Sequence, residues 1–179
     1  MKLMIASDIH GSEYYCKLML KMFETKRPDK LLLLGDLLYH GPRNDLPRDY
    51  SPKAVIELLN SVSDKVLVVR GNCEAEVDQM VLNFPVLADY AVIFADNKTL
   101  FATHGHIYNE KNLPPLGKGD ILLNGHTHIP RNIVNENYTL INPGSVSIPK
   151  EGSAHSAVIY ENGTFIWKDI EIGTEFIPQ

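Results

Sequence analysis

The pattern of the chain predicts an α/β fold, and three observations carry that expectation. In the first half, short apolar runs alternate with amphipathic stretches of helical period. From Val92 onward the pattern changes to short strands and turns. Five of the apolar runs end in aspartate, asparagine or histidine, often beside glycine, and open α/β sheets place their sites at such strand ends.

The elements follow in order. Lys2 to Ser7 reads as a buried strand, because a short apolar run bounded by polar loops fits a parallel sheet covered on both faces. Ser12 is placed to cap a helix over Glu13 to Thr25, with Leu18 and Met22 in its apolar stripe. Pro28-Asp29 turns the chain into a second strand, Leu31 to Leu34. A polar loop from Tyr39 to Tyr50 precedes a helix opening at Ser51-Pro52, a cap followed by proline at the first helical position. That helix carries Val55, Ile56, Leu58 and Leu59 back to a third strand, Lys65 to Arg70, and Glu74 to Leu82 reads as a further short helix. Late in the chain, Asn162-Gly163 between two apolar runs marks a tight hairpin. There is no internal repeat or evident linker, so a single domain over residues 1–179 is expected.

Composition narrows the function. Hydrophobic content of 44% and charged content of 22% are ordinary for a globular protein. A net charge of −5 argues against a general nucleic-acid binder, which needs a basic face. Cys16 and Cys73 are far apart, with neither a disulfide framework nor a zinc spacing. No signal-peptide pattern or membrane-length apolar stretch is present, so a cytoplasmic location is the expectation.

The strand-terminal segments carry the chemistry. They are Asp8-Ile9-His10, Gly35-Asp36, Gly71-Asn72, Thr103-His104-Gly105-His106 and Gly125-His126-Thr127-His128. Carboxylates, imidazoles and an amide gathered at strand ends can surround two divalent cations, which activate water and hold developing charge on a phosphoester. Gly35 and Gly71 permit close backbone approach before an oxygen donor. His126 and His128, two residues apart, can point to the same side. His106 is read either as an orienting partner of a ligand or as a loop residue. In the polar loop, His40, Arg43 and Asn44 are candidate phosphate contacts or a solvated surface, with arginine the natural fork for phosphate. His155 is read as structural.

In this order the segments resemble the motifs of the calcineurin-like metallophosphoesterase superfamily. Gly41-Pro42-Arg43-Asn44, Gly71-Asn72-Cys73-Glu74 and the run from Asn142 to Lys150 resemble its YfcE-type branch of small bacterial phosphodiesterases. The resemblance implies a four-layer α/β/β/α sandwich of two mixed sheets flanked by helices. It implies that Asp8, His10, Asp36 and His128 bind one metal, and that Asp36 bridges to a second held by Asn72, His104 and His126. Manganese is the first expectation, with zinc, iron or nickel as alternatives. A hydroxide bridging the metals would attack phosphorus, with Asp36, Asn72 and His104 as catalytic residues. His40, Arg43, Asn44 and Cys73 would face a small phosphodiester. Many family members carry histidine where Cys73 stands here, so leaving-group protonation is the point of departure. A phosphomonoesterase, a nuclease and a non-catalytic scaffold of the same fold remain alternatives, and a homo-oligomer is open.

Overall fold

The computed structural model describes residues 1–179 and places most of its core between and beside two sheets. Strand β1 (Lys2–Ala6) leads to helix α1 (Glu13–Lys26), strand β2 (Lys30–Leu33), helix α2 (Pro52–Asn60) and strand β3 (Val66–Val68). These strands are parallel. Later in the chain β9 (Ser156–Glu161) pairs antiparallel with β1, β10 (Thr164–Asp169) antiparallel with β9 and the short β11 (Glu175–Phe176) antiparallel with β10, which completes a six-stranded sheet. The remaining strands are β4 (Tyr90–Ala95), β5 (Lys98–Thr103), β6 (Asp120–Leu123), β7 (Pro130–Val134) and β8 (Tyr138–Pro143). They form a second sheet in the order β4-β5-β6-β8-β7, parallel at its centre and antiparallel at both edges.

The two-residue period of β1 explains why both of its faces are apolar. Met4 and Ala6 join α1, α2 and their neighbours in one core, whereas Leu3 and Ile5 face the second sheet with Leu32, Leu34, Leu100 and Ile121. Trp167 of β10 donates its indole N–H to the Asn142 carbonyl of β8 at 2.8 Å, a polar tie across the interior. Two mixed sheets stacked face to face, with the helices on the outer face of the six-stranded one, match the expected sandwich. On the outer face of the five-stranded sheet the covering layer is a loop, with Tyr108 and Leu116 lying over Phe101, Leu122 and Leu140.

Local differences from the sequence reading have physical causes. The expected Glu74–Leu82 helix shortens to α3 (Glu76–Gln79), because the Glu74 side chain turns inward to other backbone groups and Asp78 caps Ala75 instead. Ser51 makes no side-chain cap bond; its own amide donates to the Gly11 carbonyl at 2.8 Å. The Asn162-Gly163 hairpin is present, with both residues at positive φ as a two-residue turn of this hand requires.

Ser12 caps α1 as expected. Its hydroxyl accepts from Tyr15 N and donates to the Arg48 carbonyl at 2.6 Å, which ties the Tyr39–Tyr50 loop to the helix start. Ser12→Ala should cost about 1–2 kcal/mol in equilibrium denaturant unfolding. It should also increase proteolytic nicking in that loop.

Candidate metal centre

Both sheets end at one rim, and the five strand-terminal segments meet there. Asp8 and His10 follow β1, Asp36 follows β2, Asn72 follows β3, His104 follows β5, and His126 and His128 follow β6. Asp8, His10, Asp36, His126 and His128 all have positive φ, so five of the eleven non-glycine residues in that region of backbone space belong to this one cluster. Such conformations cost of order 1–3 kcal/mol each and persist where the surroundings impose them. Aspartate and histidine tolerate them better than branched residues do.

The glycines are there for close approach. A Cβ on Gly71 would lie 2.1 Å from Asp36 Oδ1, and one on Gly125 would lie 2.0 Å from Ser7 Oγ and 2.8 Å from Asp8 Oδ2.

Donor atoms converge in two overlapping groups. His10 Nε2 and His128 Nε2 lie 3.5 and 3.2 Å from Asp8 Oδ1 and 3.3 Å from each other. His104 Nε2 lies 3.1 Å from Asn72 Oδ1, 3.1 Å from His126 Nδ1 and 3.5 Å from Asp36 Oδ2. The same Asp36 Oδ2 is 3.7 Å from His10 Nε2, so it stands between the groups. Asp36 Oδ1 is engaged elsewhere, accepting from Cys73 N at 2.9 Å. The carboxylate therefore faces both groups with a single oxygen.

Hydrogen bonds behind the cluster fix the tautomers. Nδ1 of His10, His104 and His128 donates to the carbonyls of Tyr39, Leu34 and Ile148 at 2.7, 2.7 and 2.6 Å. A carbonyl can only accept, so those nitrogens carry the protons and each Nε2 turns a lone pair inward when the ring is neutral. Paired imidazole nitrogens at 3.1–3.3 Å cannot all be protonated without placing donor against donor. Asp8 Oδ1, fully buried, has no hydrogen-bond partner. Lone pairs facing a buried carboxylate oxygen without intervening hydrogens are what a cation between them would satisfy. The residues fit divalent metal ions.

Titration behaviour follows from the same packing. Burial works to raise the Asp8 carboxyl, but the imidazoles of His10 and His128, with the charge of His104, hold it well below the ordinary carboxylate range. Burial, assisted by His104, lowers His126 to about 4. Burial and the neighbouring Asp36 push the Cys73 thiol far above its ordinary value, so it is neutral.

A cavity of about 380 Å³ opens over the cluster, lined by Asp36, Asn72, Cys73, His126 and His128 on its floor and by Arg43, Asn44 and Lys150 around it. His40 does not line it. Its ring packs edge-on to Tyr39 and Tyr50, while its carbonyl accepts from Asn44 Nδ2 at 2.8 Å. His106 also stays out of the donor groups, with ring centroids 5.4 Å from His104. His155 stacks on Tyr15 at 3.8 Å, away from the rim.

Two contributors escaped sequence reasoning. Lys150 closes the run from Asn142 that carries part of the family resemblance, and no role attaches to it there. Glu74 is buried and accepts from the backbone N–H groups of Asp36, Leu37 and Gly71, joining the two glycine turns through one carboxylate. Its signals in the sequence are its place in the Gly71-Asn72-Cys73-Glu74 motif and an acidic side chain two positions after a candidate ligand.

Residues 1–164 match the model of the calcineurin-like phosphoesterase superfamily domain, and the chain belongs to that superfamily. It is 48% identical over 162 residues to phosphodiesterase YfcE of Escherichia coli K12, covering 90% of this chain and 88% of that one. A probable metallophosphoesterase of Bacillus subtilis, YsnB, is 26% identical over 167 residues, covering 89% and 83%. A solved structure of YfcE, described as a phosphoesterase from E. coli, superposes with a TM-score of 0.96 at 44% identity, covering 99% of this chain and 97% of that one. The fold is also that of Vps29 from Entamoeba histolytica, with a TM-score of 0.65, 19% identity and coverage of 99% and 100%.

Glu74→Gln should disturb the centre without unfolding the chain. A single amide oxygen cannot accept from all three N–H groups, and its NH2 would face donors. Metal affinity, read by competition with a chromogenic chelator, should fall about 10–100-fold while far-UV circular dichroism is retained.

Proposed function

We propose that this calcineurin-like phosphoesterase is a metal-dependent phosphodiesterase, acting as one domain in the cytoplasm on a small phosphodiester, with manganese as its metal. The observation that carries the reading is the orphaned, fully buried Asp8 Oδ1 facing the Nε2 atoms of His10 and His128. Asp8, His10, Asp36 and His128 would hold one cation; Asp36, Asn72, His104 and His126 would hold the other. Two divalent cations supply a lowered pKa for water and a clamp for charge developing on phosphoryl oxygens.

The remaining chemistry belongs to the chain. Asp36, Asn72 and His104 serve catalysis through the positions they impose, with one Asp36 oxygen shared between the groups. Arg43 meets a phosphoryl oxygen at the mouth of the cavity, and Asn44, held to the His40 carbonyl, keeps that loop in place. His40 supports the loop through Tyr39 and Tyr50. Two free cysteines, one buried, are in keeping with a reducing compartment. The acidic net charge favours a small substrate over a nucleic acid.

The neutral thiol of Cys73 lines the cavity where a proton donor would be useful. A neutral thiol does not carry the charge of an imidazolium. General acid catalysis is worth roughly 10²–10⁴-fold, so diesters whose leaving group is already a stable anion are favoured.

Two experiments test the reading. Asp36→Asn should lower metal content measured by elemental analysis and reduce bis(p-nitrophenyl) phosphate turnover by ~10³-fold or more; full metal occupancy with parental turnover would remove the dinuclear scheme. A leaving-group series should give parental rates that fall steeply as leaving-group pKa rises. Cys73→His should flatten that dependence, helping alkyl esters by about 10-fold or more. A flat parental series would place the proton donor elsewhere.

A further inference from the structure

Arg43 and Lys150 reach the cavity from loops of different sheets. Arg43 follows β2 of the six-stranded sheet, and Lys150 follows β8 of the five-stranded one. Five of the seventeen lysines and arginines have a carboxylate partner, so an unpaired cation is common on this surface, and what distinguishes Arg43 and Lys150 is that they line the cavity over the donor cluster. The side chains of Arg43 and Lys150 have neither an ion pair nor a hydrogen bond, and both residues are exposed at the cavity mouth. The only carboxylate lining the cavity is Asp36, whose oxygens are turned to Cys73 N and to the imidazoles. The backbone behind Lys150 is anchored, since its N–H donates to the His128 carbonyl at 3.2 Å and its own carbonyl accepts from Ser153 Oγ at 2.7 Å.

A phosphodiester group carries one negative charge, which the floor of the cavity and the Arg43 fork suffice to meet. Lys150 is then a surplus cation facing the space where an ester arm must lie, and about 380 Å³ leaves room for that arm beside the phosphoryl group. The smaller cavity on the far side of His126 and Thr127, about 190 Å³, contrasts with this one: its Arg131 is already paired with Glu110 at 3.8 Å.

Resting on the phosphodiesterase reading, we propose that the substrate bears a second anionic group, phosphate or carboxylate, on the arm that is not the leaving group, and that this group is received between Lys150 and Arg43. Arginine's five donors allow it to serve both anions, whereas lysine acts on the second one as a point charge. Lys150 is thereby a specificity-determining residue.

The test uses the metal-loaded chain and p-nitrophenyl aryl phosphates that share one leaving group. The second arm is phenyl, 4-carboxamidophenyl, 4-carboxyphenyl or 4-phosphonophenyl. The expected kcat/KM for the charged arms exceeds that for the carboxamide by about 10-fold at low salt and declines with ionic strength. The ratio should fall severalfold in Lys150→Gln and toward one in Lys150→Glu, with parental metal content in both. A parental ratio near one, or a ratio unmoved by Lys150→Glu, overturns the inference and leaves the phosphodiesterase reading standing. Absence of turnover for every ester overturns that reading, and the inference with it.

Discussion

Three backbone carbonyls, of Leu34, Tyr39 and Ile148, determine what the rim of this protein can do. Each accepts the Nδ1 proton of a buried histidine and thereby aims the opposite nitrogen at a carboxylate. Without these bonds the rings could rotate and choose either tautomer. With them, Nε2 of His10, His104 and His128 points into one small volume shared with Asp8 and Asp36. The second nitrogen of a ligand histidine commonly makes such a bond, which fixes ring orientation and strengthens the donor.

The sheets exist in a form that delivers these groups together. Because β1, β2 and β3 are parallel, their C-terminal ends share an edge; β5, β6 and β8 do the same in the second sheet. The apolar layer between them brings those edges into contact, so a carbonyl after β2 reaches a histidine after β5. Burial thus acts on function through placement: the interior that stabilises the chain also sets the distance between donors carried by different sheets.

Order at the rim comes at a cost that the surrounding structure offsets. Five donor residues have left-handed backbone, and lone pairs of several rings face anionic oxygen. Glu74 supports two of the turns by accepting three amide protons, while Asp8 Oδ2 accepts from His126 N at 3.1 Å and the Ser145 and Ser147 hydroxyls donate to the Asp8 carbonyl. Negative charge is therefore concentrated where the backbone is most constrained, as expected where structure is arranged for a bound cation more than for its own stability.

Much of this was legible from residues alone. Apolar periodicity located β1, α1, β2 and the late hairpin, because burial on one or both faces writes its period directly into sequence. The order of Asp8, His10, Asp36, Asn72, His104, His126 and His128 pointed to a common site, since those side chains at strand ends have few other uses together. Tertiary structure decided the rest. Which Asp36 oxygen faces both donor groups, which imidazole nitrogen points inward, and that His40 packs among tyrosines while Lys150 lines the cavity are all set by contacts between residues far apart in the chain. Periodicity reports which face a residue takes within its own element. It carries no information about the carbonyl, amide or empty space that another element brings to meet it.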